Sequence, residues 1–248
     1  MIAFSCLSFC SMTTFVLYHI IKNTKKIEYP IYKIGDSLIV GISDKEEFNT
    51  LPHDYVDFFE YSQLLTDGLK PENDAIVQLE KEKEKLANCS SIVDYFFFRT
   101  LVHRRQNHIY HRIVLDYTKK SKQVTYLDSI SEESEIHFRK LLTKAGINNY
   151  NPIYHTFNQK IQMIFLNMIV FFFNNTPTHL SLADLLSKDE DLVIKRNNFW
   201  FDHIHQQIKT KKTLISLESE NVVALIPRLK ETCNIQKFNY KTKQFESI

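Results

Sequence analysis

Only 4 glycines and 6 prolines occur in 248 residues, too few for a collagen-like, linker-rich or low-complexity chain. Cysteine is equally scarce. Cys6, Cys10, Cys89 and Cys233 make no CxxC and are too scattered to staple a chain of this length. Cys6 and Cys10 lie four apart in an apolar run, which places both on one helix face, where a thiol usually acts as a small hydrophobe. Charge of one sign is lacking too: 31 Lys and Arg against 29 Asp and Glu leave +2. No global field therefore favours nucleic acid or an anionic membrane. The chain contains no GxGxxG, Walker loop or HExxH, so nucleotide and metalloprotease readings have no support, and no cofactor or metal is expected.

What is present is ordinary globular material, 44% hydrophobic and 24% charged, with 19 Phe and 12 Tyr. Aromatics with β-branched residues imply some sheet. The length suits one core with an appendage, divided here into a hydrophobic segment, 1–24, and a single domain, 25–248. Residues 2–21 carry no formal charge and precede Lys22, Lys25 and Lys26. That run is just long enough to cross a bilayer, and the lysines after it would hold the body on the cytoplasmic side. The competing readings are a buried first element, or an extension ahead of a working start at Met12.

Along the body, residues 31–42 read as a hairpin turning at Gly35-Asp36. A solvated helix follows Pro71, and residues 90–102 read as a buried strand or helix. Residues 108–117 and 123–128, joined by a five-residue basic loop, read as a β-hairpin. A helix with caps at both ends spans Ser131 to Gly146. Beyond it come a strand near 151–157, a buried helix from about Gln159, further short helices and a last strand.

In that hairpin His111 and Asp128 are seventeen positions apart, and a tight antiparallel return sets them opposite one another. A carboxylate that fixes an imidazole's tautomer is what the general base of a nucleophilic Cys or Ser requires. His108 and His111, together with His203 and His205, are weaker candidates for metal, because the first pair falls in a strand, where i, i+3 residues face opposite sides.

His111-Arg112-Ile113-Val114-Leu115-Asp116-Tyr117 followed by Tyr126-Leu127-Asp128-Ser129 resembles the His strand and Asp strand of the ubiquitin-like-protein-specific cysteine proteases, the adenain-like clan. The first segment is also similar to the His strand of the YopJ-type effectors, acetyltransferases of the same clan. The resemblance covers roughly residues 90–190. It implies an α+β, papain-like cysteine protease fold, with a central, mostly antiparallel sheet packed against helices.

The chain departs from that family where the chemistry resides. Register places Gln162 and Met163 where the family has its catalytic Cys and a Gly, and a second register places Asn167 and Met168 there. Neither supplies a thiolate. Arg112 stands where many of the proteases carry Trp. The expectation is a catalytically inactive relative that binds a ubiquitin-like or host protein, with His111, Asp128 and Gln162 marking the former site. The alternatives are an active peptidase or acetyltransferase whose nucleophile lies elsewhere, and a membrane-anchored interaction protein in which His111 and Asp128 are incidental. The expected location is cytoplasmic-facing, anchored through residues 2–21, or inside a host cell after delivery.

Overall fold

The computed structural model describes residues 28–42, 51–144 and 190–248. Residues 1–24, the expected strand near 151–157, the buried helix from about 159 and Gln162 lie outside the described residues.

The chain opens with β1 (Ile31–Ile34) and β2 (Ser37–Ile42), paired antiparallel around Gly35 and Asp36. Gly35 has φ +55, the left-handed region that such a tight turn requires. After β3 (Gln63–Thr66) come three helices, α1 (Ala75–Ala87), α2 (Ile92–Asn107) and α3 (Ile109–Lys119). Strand β4 (Gln123–Tyr126) runs into a single 3-10 turn, Leu127–Ser129, and then α4 (Glu132–Lys144). The remaining elements are α5 (Glu190–Thr210), β5 (Thr213–Glu218), α6 (Ser219–Lys230), β6 (Ile235–Asn239) and β7 (Gln244–Ser247).

All seven strands join one sheet, ordered β4-β3-β5-β2-β1-β6-β7. β4, β3, β5 and β2 are mutually parallel, whereas β1 and β7 run against their neighbours. Helices and strands in one structure agree with the expected α+β class. The sheet, however, is mixed and not mostly antiparallel, because helical crossovers join its central strands, and such crossovers enforce parallel pairing.

Strand alternation divides the core between two faces. On one face Leu64, Leu214, Leu38 and Val40 pack under Ala75 and Leu79 of α1 and Ile109, Ile113 and Tyr117 of α3. On the other, Leu65, Ile215, Leu217 and Ile39 pack under Trp200 and Ile204 of α5 and Val222, Leu225 and Leu229 of α6. Covered on both sides, β2 and β3 are buried at every position, as expected of parallel strands between helical layers. The connection leaving β3 crosses the first face and the one leaving β5 crosses the second, although β3 and β5 are adjacent. The crevice beyond their carboxyl ends is thus a topological switch point, the usual position for function in an open α/β sheet.

The hairpin expected at 108–128 is not formed. Residues 109–119 are helical, and β4 pairs in parallel with β3 and not with the segment carrying His111. Ile109, Ile113 and Tyr117, each fully buried, sit at i, i+4 and i+8, and this buried stripe outweighs the strand propensity of the β-branched residues between them.

Candidate functional site

The expected site residues His111 and Asp128 both lie at the carboxyl ends of the parallel strands, around the corner Asp67-Gly68 that follows β3. The Tyr110 hydroxyl, one residue before His111, donates to the Asp67 carbonyl at 3.2 Å. The Gly68 N–H donates to Asp128 Oδ2 at 2.8 Å. Gly68 has φ +86, and a Cβ there would stand 3.6 Å from the Tyr110 oxygen. Across the switch point, Asp67 Oδ2 accepts the Glu218 N–H at 3.0 Å, fastening the end of β5 to the end of β3.

His111 occupies the first turn of α3, with its ring against Tyr110 at 5.1 Å between centroids and against His108 at 5.6 Å. The helix brings the two imidazoles together, where a strand would have set them apart. His203 and His205 follow each other on α5 at a spacing that separates them around the helix. No group of three or more His, Cys, Asp and Glu side chains suited to a metal occurs among the described residues.

Asp128 is a fully buried carboxylate held by four donors. The 3-10 turn sends Leu127 into the core and Asp128 inward beside it, and both are fully buried. Ser134, whose hydroxyl donates to the Leu127 carbonyl at 3.2 Å, ties that turn to α4. Arg196 of α5 forms a fork on the carboxylate, Nε to Oδ1 and Nη2 to Oδ2, both at 2.8 Å. Trp200 Nε1 donates to Oδ1 at 3.1 Å. With the Gly68 N–H, four donors meet a group that has about four lone-pair sites. Its acceptor capacity is filled. The guanidinium lies over the rings of Phe138 and Trp200, 4.6 and 4.1 Å from their centroids, so the buried cation is shielded by aromatic faces as well as paired.

Neither described thiol is near this carboxylate. β6 runs in the same direction as β5, so Cys233, just before β6, is at the amino ends of the strands, about 15 Å from the carboxyl ends where Asp128 lies. Cys89 follows α1, which starts at the carboxyl end and carries the chain about 20 Å away, and its Sγ donates to the Lys85 carbonyl at 3.0 Å.

Two features at this end of the sheet were not read in the sequence. Thr66 and Ser216 are register partners on β3 and β5, fully buried, and among the described residues neither hydroxyl has a hydrogen-bond partner. Their adjacency depends on a parallel pairing of segments 150 residues apart, which no local signal reveals. Beside the edge of β4, Lys70, Val124, Thr125, Tyr126, Ser129, Ile130 and His203 line a cleft of about 250 Å³. Burial pushes the Tyr126 phenol up to about 12, partly offset by Arg105, and burial lowers the His203 imidazole.

No family model, no curated protein and no solved structure matches this chain.

Proposed function

We propose that this chain acts by binding another protein and not by cysteine-peptidase or acyl-transfer chemistry. The observation that carries the reading is the state of Asp128. A catalytic acid must hold an imidazole through a free lone pair, and this carboxylate is engaged by Arg196, Trp200 and the Gly68 N–H within the core. The distant Cys89 and Cys233, and the Gln162 that stands at the family's nucleophile position, favour the same reading. The resemblance to the ubiquitin-like-protein proteases supplies the partner class, a ubiquitin-like or another host protein. The papain-like fold is part of that proposal.

The test is incubation of the full chain with ubiquitin and ubiquitin-like proteins carrying a thiol-reactive group at their carboxyl termini. No covalent adduct and no cleavage of the matching fluorogenic substrates is the expected result. An adduct on Cys89, Cys233 or any other thiol that is lost with His111→Ala would establish a live enzyme instead.

A further inference from the structure

β4 ends the sheet, and among the described residues no strand pairs with its outer side. Val124, Thr125 and Tyr126 are consecutive, so their side chains alternate between the two faces, yet all three line the same cleft. Only a cleft along the strand's lateral edge, where its N–H and C=O groups point, touches all three. Val124 and Tyr126 border it on the side of α1 and α3, whereas His203 of α5 borders it on the other side.

The edge is short, four residues, which limits pairing, but it carries no proline and no lysine of its own. Its sequence, Gln-Val-Thr-Tyr, has strong strand propensity. Lys122, immediately before it, turns its ammonium back onto the carbonyls of Phe59 and Tyr61 at 2.6 and 2.7 Å. At the opposite edge, β7, the Glu246 carboxylate turns back to Asn239 of β6 and to Thr242.

Lys70 is the only charged residue among those that line the cleft, although Glu132 and Glu133 begin α4 just beyond Ile130 and Asp202 precedes His203. Lys70 lies at its carboxyl end, with its backbone N–H on Ser129 Oγ, and Lys211 lies at its amino end, with its ammonium on Gln123 Oε1. No carboxylate is among the lining residues. Asp74, whose field reaches Tyr126, is turned to the Ile76 and Val77 N–H groups as the cap of α1.

We propose that β4 accepts an extended, acidic segment of a partner protein as an additional strand, with main-chain hydrogen bonds to the β4 edge and a carboxylate beside Lys70. This inference rests on the reading of the chain as a protein-binding one, and it specifies the surface and the chemistry of the segment. Main-chain pairing supplies affinity in this mode, and alternate side chains supply selectivity.

The experiment is fluorescence anisotropy of the full chain with a labelled, end-capped eight-residue peptide of alternating Val and Glu. Three comparisons accompany it: the same peptide N-methylated at alternate residues, in both phases; a version with Lys for Glu; and the Lys70→Glu chain. Lys70 is exposed, so the variant should keep the wild-type thermal midpoint. The parent peptide should bind in the submillimolar range, with amide shifts confined to residues 123–130 and their neighbours. At least one N-methylated phase should lose binding, and Lys70→Glu should weaken the acidic peptide about tenfold while favouring the basic one. Equal binding of the parent and both N-methylated peptides, an unchanged affinity with Lys70→Glu, or no binding at millimolar peptide would overturn the proposal. A covalent adduct in the preceding assay would sink the non-catalytic reading without touching this result, so the two failures are distinguishable.

Discussion

Thr66 and Ser216 are polar residues in an apolar setting, and what they lack determines the effect of replacing them. A buried hydroxyl without a partner forfeits its hydration at a cost of about 1–3 kcal/mol, and here two lie side by side across β3 and β5. Thr66→Val, which keeps the shape and removes the oxygen's demand, should stabilise the fold by about 1 kcal/mol in equilibrium urea unfolding, and Ser216→Ala should be neutral or stabilising. A loss of more than 1 kcal/mol in Thr66→Val would mean that the hydroxyl has a partner after all. The buried phenols carry a second prediction. Burial raises Tyr61, Tyr117 and Tyr126 above the ordinary tyrosine value of 10.0, Tyr126 to about 12. In the unfolded chain these groups ionise near 10, so their contribution to stability is complete below pH 10 and declines as pH rises toward 12. Phenolate absorbance should therefore rise near pH 10 for the exposed tyrosines and again, at higher pH, together with loss of the circular dichroism of the fold. Tyr126→Phe should make the decline in stability between pH 10 and 12 shallower.

At the scale of elements, Gly41 shows how closely β2 is packed. A Cβ at this position would lie 2.4 Å from Pro30 Cγ and 3.1 Å from the Ser219 Cα, the first residue of α6. Gly41→Ala should cost about 1–3 kcal/mol by overpacking, read as a lowered thermal midpoint. Gly35→Ala meets no neighbour and should cost about 1 kcal/mol, from its positive φ alone. A cost at Gly35 exceeding that at Gly41 would contradict this account of the sheet.

The elements also differ in how far the sequence disclosed them. The β1–β2 hairpin was legible because Gly35-Asp36 sits between β-branched runs. α4 was legible because acids follow Ser131 at its start, and Ser131 Oγ does accept the Ser134 N–H at 3.1 Å. α1 starts later than Pro71 suggested, because Asp74 caps it through Ile76 and Val77. α3 departs from the expected strand: Ile109, Tyr110, Ile113, Val114 and Tyr117 have strand propensity individually, and only their i, i+4 burial reveals the helix. β3 is too short to announce itself, with four residues, Gln-Leu-Leu-Thr, buried on both faces. As for the candidate site, Asp128 could be singled out locally. Arg196, 68 residues away, could not be assigned as its partner, since only the assembled layers bring the two together.

For the whole molecule, the Asp128 cluster connects parts of the chain that have no local reason to meet. Through Gly68 it holds the loop after β3, through Arg196 and Trp200 it holds α5, and through the stacking of Arg196 on Phe138 it reaches α4. The carboxyl ends of the strands, where an open sheet of this kind usually places its chemistry, are here tied together by buried structural bonds. The cleft beside β4 lies at the margin of that cluster, through Ser129, so a folded cluster is a condition for the edge to be presented. Among the described residues no helix is long and apolar enough to cross a membrane.

The central claim is that Asp128 is a structural member of the fold and not the acid of a catalytic pair. Trp200 is the only tryptophan in the chain and donates directly to Asp128, so its emission reports on this cluster. The decisive measurement is equilibrium unfolding of the wild type and of Asp128→Asn, followed by Trp200 fluorescence. Asparagine keeps the shape and leaves the Arg196 charge buried without its counter-ion, so stability should fall by about 3–5 kcal/mol. Adding Arg196→Met should recover part of that loss. An Asp128→Asn chain with wild-type stability and unchanged Trp200 emission would contradict the account and return Asp128 to a role in chemistry.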